Sequence, residues 1–122
     1  MTPSEAIRAL GAAWDALDLE ALVALFAEDG TVEDPLLPRP AAGREDVRKL
    51  YGPSMAELST CRVTLGHVLE RGDLGLAEGR FESVLAGGGG RLDFDFAMVV
   101  ELRDGRIARL AEYFDTRPLG PA

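Results

Sequence analysis

The sequence predicts an α+β domain, a cone-shaped α+β barrel with three N-terminal helices packed on a curved, mostly antiparallel β-sheet. Three observations carry this. Helical periodicity dominates the first half, broken by a short β run at Thr31–Asp34 that stops at Pro35. Four long strand patterns fill the second half. Asp104-Gly105, between the last two, is a strong hairpin signal. No internal repeat or linker interrupts residues 1–122, so the chain reads as a single domain.

The first helix starts at a capping box. Thr2 is the N-cap, Pro3 suits the first helical position, and Glu5 completes the box. Ile7, Leu10, Trp14 and Leu17 then recur at helical spacing. Asp18 caps a second helix with an apolar face of Leu19, Leu22, Val23 and Phe26, and Asp29-Gly30 is expected to end it. After the β run, Pro35, Pro38 and Pro40 make Pro35–Ala42 a loop suited to a pocket rim. Gly43-Arg44-Glu45-Asp46 opens a third helix with Val47, Leu50 and Tyr51 on one face; Gly52-Pro53 is expected to stop or kink it, with Ser54–Leu58 able to continue as a helical turn. The strands are expected at Arg62–Arg71, Leu74–Leu85, Arg91–Arg103 and Arg106–Asp115, followed by a tail from Arg117 to Ala122.

Composition narrows the function. With 21 acidic and 13 basic side chains the formal charge is −8, which disfavours binding to a phosphate backbone, so no nucleic-acid partner is expected. The single cysteine, Cys61, has no partner for an internal disulfide, which fits a reducing compartment. No basic segment followed by a long apolar run opens the chain, and no stretch has the length of a membrane span. A cytoplasmic protein without a membrane partner is expected. One histidine, His67, cannot make a typical zinc site, so neither metal nor cofactor is expected.

Asp34 is the first candidate for chemistry. Pro35 biases it toward an extended backbone at a strand end, where a carboxylate can project into a cavity. The competing reading is an ordinary turn aspartate. On the third long strand, Leu92, Phe94, Phe96, Met98, Val100 and Leu102 share one face, which should line the concave side. The other face carries Arg91, Asp93, Asp95 and Glu101, with Ala97 and Val99 available to a partner subunit. The second long strand is the anomaly. Leu74 and Leu76 share a face with Glu78, Arg80 and Glu82. Either these charges enter the pocket with the leucines, marking a site, or a bulge swaps faces and leaves them in water.

Leu22-Val23-Ala24-Leu25-Phe26-Ala27-Glu28-Asp29, Thr31-Val32-Glu33-Asp34-Pro35, the proline loop, Gly43 with Val47-Arg48, and the hairpin from Asp104-Gly105-Arg106-Ile107 to Glu112-Tyr113-Phe114-Asp115 resemble the nuclear transport factor 2-like superfamily. Its members include ketosteroid isomerases, SnoaL-like polyketide cyclases and limonene-epoxide hydrolases. The resemblance covers nearly the whole chain. It implies a deep conical pocket for a small apolar substrate or ligand, and a homodimer formed through the convex sheet face.

Residue by residue, the resemblance implies that Asp34 is the general base of an isomerase or cyclase that shifts a proton beside a carbonyl. The family's oxyanion donors fall at Leu10 and Met98, both apolar here, and Tyr51 matches a supporting tyrosine that can substitute. Trp14 and Phe114 become pocket walls, together with Leu10, Phe26 and the inward Phe94, Phe96 and Met98. Leu110 and Glu112 of the last strand join the candidate lining. So does His67, for which an ordinary half-buried strand histidine is the alternative.

A second likeness competes. Glu78-Gly79-Arg80-Phe81-Glu82 and Glu112-Tyr113-Phe114-Asp115 resemble the limonene-epoxide hydrolases, whose acid–arginine–acid triad would be Asp115, Arg80 and Glu82 here. In that arrangement one carboxylate activates water, the arginine holds the pair, and the other protonates the epoxide oxygen. Asp115 can equally be a strand-end cap. A non-catalytic binder of an apolar ligand is the third reading.

Overall fold

The computed structural model describes residues 1–120; Pro121 and Ala122, the end of the expected tail, lie outside the described residues. Three helices, α1 (Pro3–Ala16), α2 (Leu19–Val23) and α3 (Arg44–Ala56), pack against one six-stranded sheet. Its strands are β1 (Phe26–Glu33), β2 (Ala41–Ala42), β3 (Leu58–Arg71), β4 (Leu74–Leu85), β5 (Arg91–Arg103) and β6 (Arg106–Phe114). They lie in the order β2-β1-β6-β5-β4-β3, and only the β1–β6 pairing is parallel. This is the α+β architecture expected, with three helices on a curved, mostly antiparallel sheet.

The first helix begins as its sequence dictates. The Thr2 hydroxyl accepts from the Glu5 N–H at 3.2 Å, and the Glu5 carboxylate accepts from the Thr2 N–H at 2.8 Å. Asp18 caps α2 by accepting from Ala21 N–H at 3.0 Å. There the expectation fails, because α2 ends at Val23 and Phe26 opens a strand. Tertiary contacts override helical propensity at this point. Leu25 C=O accepts from the Ile107 N–H at 2.9 Å, Phe26 pairs with Ile107, and the Arg44 guanidinium donates twice to Phe26 C=O, at 3.0 and 2.7 Å. Gly30 is therefore a close approach inside β1, where a Cβ would stand 2.6 Å from Ile107 O.

Pro53 does not end α3, which runs on to Ala56. Val47, Tyr51 and Met55, spaced four apart, are all buried and hold that face of the helix to the core past the proline. β3 begins at Leu58, four residues before the expected Arg62, because buried Leu58 already pairs with Leu85.

Alternation on β5 holds as read: Met98, Val100 and Leu102 are buried on the inner face. On β4 both expectations are corrected. β4 pairs with β5 without a register shift, so no bulge swaps its faces. Gly75, Ala77, Phe81 and Ser83 point inward, and Leu74 and Leu76 stand outside with Glu78, Arg80 and Glu82. The cause is α1. A Cβ on Gly75 would meet Pro3 Cβ at 2.7 Å and Ile7 Cδ1 at 3.0 Å, so the helix sits directly on the glycine face of the strand.

Candidate functional site

The core is continuous, but the inner face of the sheet is not filled to its end. Between α1, α3 and the sheet lies a cavity of about 350 Å³, within the range of small-molecule sites. Its wall is mostly aromatic and aliphatic. Trp14 meets Phe81 edge-on at 5.3 Å, Phe81 stacks on its cross-strand partner Phe94 at 4.8 Å, and Phe94 contacts Phe114 at 5.0 Å. One aromatic side chain from each of three neighbouring strands thus forms a continuous strip, with Trp14 at one end.

Polar groups converge at one place in this wall. Asp34 follows the last residue of β1, whose Glu33 pairs with Ala111, so the next residue on each strand brings Asp34 beside Glu112. Pro35 and the turn after it fix Asp34: its Oδ1 accepts from Leu36 N–H at 2.8 Å, and its C=O accepts from Leu37 N–H at 3.0 Å. Glu112 lies on the inward face of β6, opposite Met98. Tyr51, on the buried stripe of α3, donates its hydroxyl to Glu112 Oε1 and meets Trp14 edge-on at 5.5 Å.

The electrostatics follow from this placement. Burial pushes the Glu112 carboxyl up to about 8, and a hydrogen bond to the neighbouring Asp34 carboxylate adds to the rise. The Tyr51 hydroxyl works against it by stabilising the charged form. Burial, together with the charge of Glu112, also raises the Tyr51 phenol well above its ordinary value. At neutral pH Glu112 is therefore a neutral carboxylic acid beside Asp34. An acid kept neutral by burial next to a second carboxyl suits acid–base work.

Most residues singled out from the sequence meet here. Asp34, Tyr51 and Glu112 line the cavity, as do Leu10, Trp14, Phe94, Phe96, Met98, Leu110 and Phe114. Phe26 does not; it is fully buried in the core and sits outside the lining. His67 is corrected as well. Its side chain is 86% exposed, and its Nδ1 lies 2.6 Å from Glu78 Oε1 outside the cavity, because the register shift between Leu65 and Val68 turns it outward.

The acid–arginine–acid triad is not assembled. Arg80 is exposed on the outer face and bonds Asp95 at 3.1 Å, while Glu82 shares that outer face opposite Asp93. Asp115 follows the end of β6, where Arg117 takes its carboxylate at 2.8 Å and holds its pKa below the usual range. None of the three lines the cavity. Cys61 is half-buried and its thiol is pushed up to about 12, mainly by burial, which leaves it inert. Among the described residues no group of three His, Cys, Asp or Glu is placed to hold a metal.

Sequence reasoning placed Glu112 among the lining but missed its partnership with Asp34 and Tyr51. The signal was present in Leu110, Glu112 and Phe114, where an acid stands between two apolar residues on an inward face. Leu36, Ser54, Glu57 and Leu119, which also line the cavity, carried no such signal.

Fold and site together define a conical α+β protein with a partly buried acid pair at the wall of an apolar pocket. Residues 7–110 match the SnoaL-like domain, and the chain belongs to that family. Solved structures share the architecture. A protein with a ketosteroid isomerase-like fold from Catenulispora acidiphila, in complex with trimethylamine, is 26% identical, with a TM-score of 0.81 over 94% of this chain and 88% of that one. An LEH-like epoxide hydrolase from M. tuberculosis is 22% identical, with a TM-score of 0.78 over 93% and 83%. AclR, a putative hydroxylase from Streptomyces galilaeus, is 14% identical, with a TM-score of 0.81 over 96% and 91%. Among the described residues no helix is long and apolar enough to cross a membrane.

Proposed function

We propose that this protein is an acid–base enzyme acting on a small apolar carbonyl compound, isomerase-like or cyclase-like, with Asp34 as general base. The supporting observation is the Asp34–Glu112 pair, in which Glu112 stays protonated to about pH 8 at the wall of an aromatic cavity. The Asp34 carboxylate takes a proton from the carbon beside the carbonyl. The electron pair of that C–H bond moves onto the carbonyl oxygen, forming an enolate. Once Asp34 is protonated it no longer needs the Glu112 O–H, which turns to donate its hydrogen bond to this oxygen, in place of the donors absent at Leu10 and Met98. Asp34 then returns the proton to carbon. Such donors are worth about 10²–10³ in rate when aimed at the developing charge. Tyr51 holds Glu112 Oε1 and so orients the acid.

The reaction is tested by exchange of the α-protons of β-tetralone in deuterated buffer, followed by proton NMR. Exchange above background is expected for the wild type. Loss in Asp34→Asn and a fall of about 10²-fold or more in Glu112→Gln are expected. Exchange unchanged in Asp34→Asn defeats the reading and leaves a non-catalytic binder of an apolar ligand.

The homodimer is a proposal on the same footing. The outer face carries Leu69 (67% exposed), Leu76 (45% exposed) and Tyr113 (54% exposed). Leu69 pairs with Leu76, Leu76 with Val99, and Tyr113 with Ala97, so these residues form one apolar band across four strands. Sedimentation at micromolar concentration is expected to show a dimer that Leu76→Glu dissociates.

A further inference from the structure

The charge of the cavity wall carries one inference beyond the reaction. The wall contains three carboxylic acids, Asp34, Glu57 and Glu112, and no lysine, arginine or histidine. Arg109, Arg80 and Arg117 are committed elsewhere. Arg109 bonds Glu33 at 2.8 Å and lies 3.5 Å from Glu101, while Arg80 and Arg117 bond Asp95 and Asp115. Asp34 therefore has no cation beside it in the lining, where its Oδ1 accepts from the Leu36 N–H at 2.8 Å. Two features indicate what the wall would attract. The Trp14–Phe81–Phe94–Phe114 strip offers aromatic surface, whose π faces attract cations. Glu57, an exposed residue just past the end of α3, also lines the cavity, so carboxylates stand at two separate points along the wall.

We propose that the cavity selects its ligand by charge, taking a hydrophobic aromatic amine in its protonated form and excluding the matching carboxylate. The ammonium group would accept no hydrogen bond and donate to the carboxylates, while the rings lie against the aromatic strip. An anion would meet only like charge and would find no donor cation. This inference rests on the reading of the cavity as a ligand site, and it concerns ligands other than the proposed carbonyl substrate, which an ammonium group held by Asp34 would displace.

Trp14 is the only tryptophan in the chain and lines the cavity, so its fluorescence reports binding there. Three probes of one shape, biphenylmethylamine, biphenylmethanol and biphenylacetate, are titrated at neutral pH into wild type, Asp34→Asn and Glu57→Gln. The amine is expected to bind about tenfold or more tightly than the alcohol, and the carboxylate at least tenfold more weakly than the alcohol. The amine's advantage is expected to shrink in both variants. Equal binding of amine and alcohol overturns the proposal, and so does binding of the carboxylate at or above the alcohol. A ranking that persists unchanged in both variants belongs to the net charge of the whole protein, and it also overturns the proposal. If no probe perturbs Trp14, both this proposal and the reading of the cavity as a ligand site fail. Because the ranking needs no turnover, absence of proton exchange alongside the expected ranking defeats the enzyme reading alone.

Discussion

Tyr51 and Glu112 are joined by a hydrogen bond that ties α3 to the inward face of β6, with the phenol donating to Oε1. The bond stabilises the charged form of Glu112 and so opposes burial and Asp34, which both favour the neutral form. Removing the hydroxyl alone, in Tyr51→Phe, is therefore expected to move the Glu112 titration above about 8. Carbon-detected NMR of the side-chain carboxyls checks this. A midpoint that stays or falls would mean that the phenol has no such role.

The same shift makes stability depend on pH. Glu112 has an ordinary carboxyl value of 4.5 and a folded value of about 8, so between these limits the folded state holds a proton that the unfolded state has released. Stability from this group is full below pH 4.5 and is lost as pH rises toward 8. Urea denaturation across that range is expected to show a decline for the wild type that is flattened in Glu112→Gln.

Phe26 and the cavity aromatics separate stability from function. Phe26 is fully buried and lies outside the lining, so Phe26→Ala is expected to cost about 3–5 kcal/mol, as truncation of a packed core phenylalanine does. Denaturant midpoints measure the loss. Ligand quenching of Trp14 should persist in the fraction that remains folded.

Arg80 supplies the opposite case. Its pair with Asp95 is exposed, and such pairs contribute about 0–1 kcal/mol. Arg80→Met is expected to leave stability within about 0.5 kcal/mol and proton exchange unchanged. A collapse of exchange in this variant would restore the epoxide-opening triad to consideration.

Much of the fold was legible because local signals agreed with tertiary demands. Thr2 and Glu5 mark the start of α1, and the even-numbered apolar residues from Leu92 to Leu102 mark the inner face of β5. The failures came where contacts between distant segments decide. Nothing local to Phe26 shows that Ile107 and Arg44 will capture its backbone. Nothing in Leu74 and Leu76 shows that α1 will claim the glycine face of β4 and leave the leucines outside. The site divides the same way. Asp34 stood out because of Pro35, whereas the role of Glu112 depends on a parallel β1–β6 register that no sequence spacing reports.

The most direct measurement is the titration of Glu112 by carboxyl NMR, in the wild type and in Asp34→Asn. A midpoint near pH 8 that drops when Asp34 loses its charge is the expected result, since Asp34 contributes to the rise. A midpoint in the ordinary carboxylate range, or one indifferent to Asp34, would contradict the acid pair on which the proposed chemistry depends.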